Sequence, residues 1–209
     1  MNAPAGEPTI SEQIRFDERG LVACVVQDWT TGEVLTLAYM NEEALARTRE
    51  TGELHLYSRS REQQWHKGEQ SGNVQAVKAL RLDCDGDALL ALVEPAGPAC
   101  HTGERTCFHN GQSKPPAPHE VLALLSRTIA QRAQERPTGS YTVELLDDPA
   151  RIGEKVMEEA AELAQAAREE SDRRVDEEAA DVVYHVLVLL KSRGRELADA
   201  ERVLDGRRR

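Results

Sequence analysis

Eight carboxylates and three thiols in this chain fall at spacings that suit metal chemistry. The run Asp83-Cys84-Asp85-Gly86-Asp87 packs three carboxylates and a thiol into five residues. Oxygen ligands suit Mg²⁺ and thiolate suits Zn²⁺, so one turn can serve two metals. Cys84 also opens the pattern Cys84-x15-Cys100-x6-Cys107, which differs from the tight C-x2-C knuckle of structural zinc ribbons. Three thiolates leave one zinc position open, the mark of a catalytic ion that acidifies water. The competing reading is three incidental buried thiols; their neighbours are Asp, His and Gly rather than apolar runs. Cys24, inside the apolar run 22–26, reads as a small buried hydrophobe. A calcium loop over Asp83, Asp85, Asp87 and Glu94 fails, because its sixth position is Ala88 instead of Gly.

The second acidic set is Glu158-Glu159-x-x-Glu162 followed by Glu178-x-x-Asp181. On helices these residues share a side at i,i+3 and i,i+4. Antiparallel pairing of the two helices makes them converge, and like charges so close need cations between them. Mg²⁺ there would clamp phosphates for pyrophosphate cleavage. The alternative is a solvated acidic face. Against it, Ala and Val adjoin the acids, and Lys or Arg partners four residues on are scarce. His185, one turn after Asp181, reads as a packed core histidine.

His101 follows Cys100 directly and suits a base, a fourth zinc ligand or a hydrogen-bond partner; a solvated surface histidine is as good a reading. The segment Trp65-His66-Lys67-Gly68-Glu69-Gln70-Ser71-Gly72-Asn73 is polar and Gly-punctuated, and Gly lets backbone approach a ligand closely. Lys67, with Arg59 and Arg61 upstream, suits phosphate neutralisation, although such a segment is usually just a loop.

The elements that must carry these groups change character near residue 112. Before it, strands are expected at 21–26, 34–40, 54–57, 77–82 and 88–93, with a helix at 42–50 capped by Asn41 and stopped near Gly52. Asp85-Gly86 predicts a two-residue type I′ hairpin between the last two strands. After it, helical spacing joins Val121, Leu122, Leu125 and Ile129; then Ile152, Val156, Ala160, Leu163 and Ala167; then Ala179, Val182, Val183, Val186, Leu187 and Leu190, with a short helix at 197–204. The expected architecture is a small strand-rich α+β domain at 1–110, a stiff linker at 111–118 and an all-α helical domain at 119–209. A net charge of −11 disfavours non-specific binding to nucleic acid or anionic membrane. No apolar run reaches the ~20 residues of a membrane span, and the polar start lacks the core of a secretory signal. A cytoplasmic setting with reduced thiols is expected.

Residues from about 16 to 109 resemble phosphoribosyl-AMP cyclohydrolase. The carrying segments are Gln27-Asp28-Trp29, Ala38-Tyr39-Met40-Asn41, Tyr57-Ser58-Arg59-Ser60-Arg61, the loop from Trp65 to Asn73, the Asp83 to Asp87 run and the Pro98 to Cys107 run. Residues from about 121 to 194 resemble phosphoribosyl-ATP pyrophosphohydrolase, through Gly139-Ser140-Tyr141-Thr142 and the two acidic motifs. The resemblance implies a bifunctional enzyme of histidine biosynthesis with phosphoribosyl-ATP and phosphoribosyl-AMP as substrates. It implies a C-terminal bundle of the nucleotide pyrophosphohydrolase type, with Mg²⁺ on Glu158, Glu159, Glu162, Glu178 and Asp181. It also implies an N-terminal domain that opens the adenine ring at N1–C6, with Zn²⁺ on Cys84, Cys100 and Cys107 and Mg²⁺ on Asp83, Asp85 and Asp87. Implied catalytic residues are His101, Glu159 and Asp181; implied substrate contacts are Arg59, Arg61, His66, Lys67, Ser71 and Asn73. Relatives are homodimers whose zinc site draws on both subunits, and the wide cysteine spacing agrees. Two other readings stand beside it: a structural zinc module fused to a helical interaction domain, and a house-cleaning nucleotide pyrophosphohydrolase fused to another zinc hydrolase.

Overall fold

The computed structural model describes residues 13–110 and 118–208, so most of the expected linker and the polar start lie outside the described residues. The chain divides into two compact units, Met1–Pro115 and Pro116–Arg209.

The first unit is built on a four-stranded mixed sheet. Its strands are β1 (Val22–Asp28), β2 (Val34–Met40), β5 (Gln75–Leu82) and β6 (Ala88–Pro95), in the order β2-β1-β6-β5. β1 runs antiparallel to β2 and parallel to β6, and β5 runs antiparallel to β6. Alternation along β1 sends Val22, Cys24 and Val26 into the core, where they meet Leu35, Leu56, Leu89 and Val93. Truncating one of these leucines to Ala would cost about 2–5 kcal/mol. A two-stranded hairpin, β3 (His55–Ser58) and β4 (Gln63–His66), completes the strands. β4 escapes a sequence reading because Gln63-Gln64-Trp65-His66 has no apolar alternation. Helix α1 (Glu42–Thr51) has the expected ends. Asn41 Oδ1 accepts the Ala44 N–H at 2.9 Å, and Gly52 closes the helix at φ +72°.

The second unit holds five α-helices among its described residues, α2 (Val121–Glu135), α3 (Tyr141–Asp147), α4 (Pro149–Glu169), α5 (Asp172–Ser192) and α6 (Leu197–Arg207), after a single 3-10 turn at Pro118–Glu120. Its core gathers Ile129, Leu145, Ile152, Leu187 and Val188. α3 was not expected, being only seven residues long with no side-chain cap bond. The buried stripe of α4 differs from the expected one. Ala160 and Ala167 face solvent, while Glu159 and Ala166 are buried with Ile152. Two alanines carry little apolar signal, and a carboxylate occupies the inward position.

Candidate active sites

The acidic turn of the first unit joins β5 to β6. Asp83 Oδ1 accepts the N–H groups of Gly86 (2.9 Å) and Ala88 (3.1 Å), and the Asp83 N–H donates to the Ala88 carbonyl at 3.1 Å. Gly86 has φ +83° but Asp85 stays at negative φ, so the turn is not the expected type I′. Ligand oxygens of Asp83, Asp85 and Asp87 lie within 4.8 Å of one another. The backbone N–H of Ala88 leads in lowering the Asp83 pKa, whereas the hydrogen bond to Asp83 and the charge of Asp85 raise that of Asp87. Three exposed hard donors at this spacing fit Mg²⁺.

The cysteine loop lies at the other end of β6. Cys100 is buried and Cys107 is exposed. The Thr102 hydroxyl donates to Cys100 Sγ at 3.1 Å, and this bond leads the forces that lower the Cys100 pKa, with Cys107 adding another. A thiol pushed toward thiolate fits zinc. His101 Nδ1 stands 3.8 Å from Cys100 Sγ. Lys67 donates through Nζ to the Ala99 carbonyl at 2.5 Å; burial lowers its pKa, and the charges of Cys107 and Cys100 oppose that shift. Cys84 does not join Cys100 and Cys107 in a three-ligand group among the described residues. It sits before β6 and they sit after it. The eight residues of β6 span about 26 Å at ~3.3 Å each.

The loop after β4 folds on itself. A Cβ on Gly68 (φ +93°) would meet the Asn73 carbonyl at 2.3 Å, and one on Gly97 would meet Asn73 Oδ1 at 2.4 Å. Gly68 therefore admits the loop's own backbone, not a ligand, and Asn73 is seated against the start of the cysteine loop. The Asn73 N–H donates to Ser71 Oγ at 3.3 Å. His66 stacks on His55 with centroids 4.5 Å apart and stands 2.7 Å from Glu53 Oε2. Arg59 lies over the Tyr39 ring at 3.9 Å, and Arg61 is exposed in the β3–β4 turn.

In the second unit, α4 and α5 fold back about Glu170 and Ser171 and bring Glu159, Glu178 and Asp181 within 4.8 Å of one another. Glu159 and Glu178 are buried and Asp181 is exposed. Burial leads in raising the Glu178 pKa; Arg174 opposes it, while Glu162 and Glu159 add to it. Glu162 lies near enough to act on Glu178 but outside the three-ligand group, and Glu158 pairs with Lys155 at 2.8 Å. His185 is buried and donates from Nδ1 to the Asp181 carbonyl at 2.9 Å, because a carbonyl only accepts. In the neutral ring its Nε2 accepts from the Tyr141 hydroxyl at 3.3 Å. No Lys or Arg stands four residues after any of these acids, as expected, yet Lys155 and Arg174 pair with Glu159 and Glu178 from four residues before them.

Two family models divide the chain. Residues 36–109 match phosphoribosyl-AMP cyclohydrolase and residues 122–208 match phosphoribosyl-ATP pyrophosphohydrolase. The histidine biosynthesis bifunctional protein HisIE of Bacillus subtilis is 48% identical over 200 residues, covering 94% of this chain and 96% of that protein. The chain belongs to this bifunctional family. Its HisIE relatives from Gloeobacter violaceus and Oceanobacillus iheyensis are 46% identical over 213 residues and 42% identical over 195. Coverage is 98% of this chain and 96% of the first, and 92% and 91% for the second. The order of the two family models follows the order of the two units.

Within this family frame, Lys67, Cys100 and Cys107 come together in one chain, as do the three aspartates and, of the helical acids, Glu159, Glu178 and Asp181. Cys84 stays apart from its expected companions. A reading of motifs missed Thr102, Lys155, Arg174 and the link from Tyr141 to His185. Spacing offered a signal only for Lys155 and Arg174, through i−4 positions.

Proposed function

We infer that the chain performs two consecutive hydrolyses of histidine biosynthesis. The second unit cleaves phosphoribosyl-ATP to phosphoribosyl-AMP and pyrophosphate, and the first opens the adenine ring of phosphoribosyl-AMP between N1 and C6. The observation that carries this reading is that each family-matched half holds its own ligand cluster. When bound, zinc on the thiolates supplies acidified water at neutral pH, and magnesium on the carboxylates supplies positive charge for phosphate oxygens.

Glu159, Glu162, Glu178 and Asp181 would hold magnesium from two helices, with Glu158 at the margin. His185 holds the Asp181 backbone in place and is itself held by Tyr141. In the first unit, Asp83, Asp85 and Asp87 would hold magnesium, and Cys84, Cys100 and Cys107 would hold zinc. His101, whose Nδ1 stands 3.8 Å from Cys100 Sγ, would take the proton that attacking water loses and return it to N1 as the C6–N1 bond opens. Lys67, Arg59 and Arg61 offer positive charge to the substrate phosphate, and His66, Ser71 and Asn73 line the adjoining loop.

The length of β6 between Cys84 and the other two cysteines supports a homodimer that completes the zinc set from both chains. Exposed Val121, Leu122, Met157, Val203 and Leu204 support self-association of the second unit as well. Free thiols accord with a cytoplasmic setting, and no helix among the described residues is long and apolar enough to cross a membrane.

The test is product analysis after incubating the pure protein with phosphoribosyl-ATP, zinc and magnesium. Pyrophosphate followed by the ring-opened product is expected. Equal cleavage of ordinary nucleoside triphosphates, or no ring opening from phosphoribosyl-AMP, would overturn the reading.

A further inference from the structure

The loop that carries Cys100 and Cys107 has no regular secondary structure. Zinc demands four donors at about 2.0–2.3 Å in a tetrahedron, so something must hold the loop in shape. Its internal bonds close a small turn: the Ala99 N–H donates to the Arg105 carbonyl at 3.1 Å, and the Cys100 N–H donates to the Glu104 carbonyl at 2.9 Å. Its attachment to the sheet is mostly at Arg105 and the two residues after it. Arg105 donates through Nη2 to Asp28 Oδ2 and through Nε to Glu33 Oε2, both at 2.5 Å. The Thr106 hydroxyl donates to the Val34 carbonyl at 2.8 Å, and the Cys107 N–H donates to the Leu35 carbonyl at 2.8 Å.

Asp28 is only 4% exposed. Its other oxygen already accepts the N–H groups of Thr30 and Thr31, at 2.8 and 2.9 Å, so the carboxylate is fixed before Arg105 arrives. Because β1 pairs in parallel with β6, Asp28 lies beside Val93, two residues before the end of the strand that feeds the loop. A planar guanidinium held by two carboxylates resists rotation in a way that a single point charge does not.

We propose that Arg105, clamped by Asp28 and Glu33 on the β1–β2 turn, is a positioning residue that sets the distance between Cys100 and Cys107 for metal capture and ring opening. The inference rests on the zinc reading of these cysteines. It makes Arg105 a supporting group for the metal ligands, without contact with substrate, and such outer groups typically control metal affinity by 10–100-fold.

The experiment uses the full chain. Zn²⁺ affinity is measured by competition with a chromophoric chelator, Co²⁺ spectra report the thiolate geometry, and ring opening of phosphoribosyl-AMP is split into kcat and KM. Arg105→Gln should weaken zinc binding by about 10–100-fold, shift the cobalt bands, and lower kcat with KM held. Arg105→Lys keeps the charge but loses the fork and should recover only part of each. Asp28→Asn should give the same signature, and the double variant should be no worse than the worse single one. Glu33→Gln spares the buried pair and should show the signature at smaller size, which keeps the test open where Arg105→Gln does not fold. Wild-type zinc affinity, cobalt spectrum and kcat in folded Arg105→Gln, or in Glu33→Gln where the former fails to fold, would overturn the proposal. Failure of the underlying zinc reading looks different: Cys100→Ala would then bind zinc as tightly as the wild type.

Discussion

Lys155 donates to Glu159 across one turn of α4, Nζ to Oε1 at 2.8 Å, and reaches Glu158 Oε2 at the same distance. Glu158 and then Glu159 raise the Lys155 pKa, so the ammonium stays charged far into the alkaline range. Lys155 thus supplies part of the positive charge that the acid cluster needs. Lys155→Gln should lower the melting temperature without Mg²⁺, by an amount worth a few tenths to about 1 kcal/mol for a partly exposed pair. Saturating Mg²⁺ should narrow the gap, and thermal melts at two magnesium concentrations check it. An identical deficit with and without magnesium would count against cation binding by Glu159.

The helical acids should matter to one reaction only. Glu159→Gln and Asp181→Asn each remove a charge from the cluster and should cost several kcal/mol of transition-state stabilisation, or about 100-fold or more in pyrophosphate release. Ring opening of phosphoribosyl-AMP supplied directly should continue. Parallel assays of the two products decide the matter, and unchanged phosphoribosyl-ATP turnover would refute the assignment.

Mixing inactive variants tests whether zinc ligands are pooled. Cys84→Ala and Cys107→Ala should each lack ring opening. Random re-pairing after mild dissociation should restore about a quarter of wild-type activity, since half the dimers are mixed and each has one intact set. No recovery, with mixed dimers confirmed by native mass spectrometry, would mean that each chain completes its own site.

Thiol reactivity should follow burial. Burial pushes the Cys24 thiol up to about 12, against the N–H of Ala91, which pulls it down. A raised thiol pKa means less thiolate at any given pH, so at pH 8 the reactive fraction is about 10⁻⁴. In metal-free native protein, iodoacetamide should label exposed Cys84 and Cys107 and spare Cys24. Peptide mapping reads this out, and zinc should then protect Cys107. Rapid labelling of Cys24 without unfolding would contradict the packing of β1.

The parts legible in the sequence are those with strong local chemistry. Asn41 and Gly52 announce α1 because a cap and a left-handed stop each depend on residue type. The acidic motifs stand out because their carboxylates repeat at helical spacing, and Glu159, Glu178 and Asp181 do converge. β4 and α3 stay hidden, being short and lacking a periodic apolar signal. The inward stripe of α4 is misread because Glu159 holds a core position that hydropathy assigns to Ala160. Arg105 is illegible for a different reason: its partners Asp28 and Glu33 are more than 70 residues away in sequence, at separations of 77 and 72.

One feature of the sheet bears on how the enzyme would behave in a cell. β6 spends its whole length between Cys84 and the loop that bears Cys107. With ligands pooled between two copies, ring opening obeys mass action while pyrophosphate release in each bundle need not. At low expression, or on dilution below the dissociation constant of the pair, the first product would accumulate before the second step began. The ratio of the two fluxes would then report the abundance of the protein.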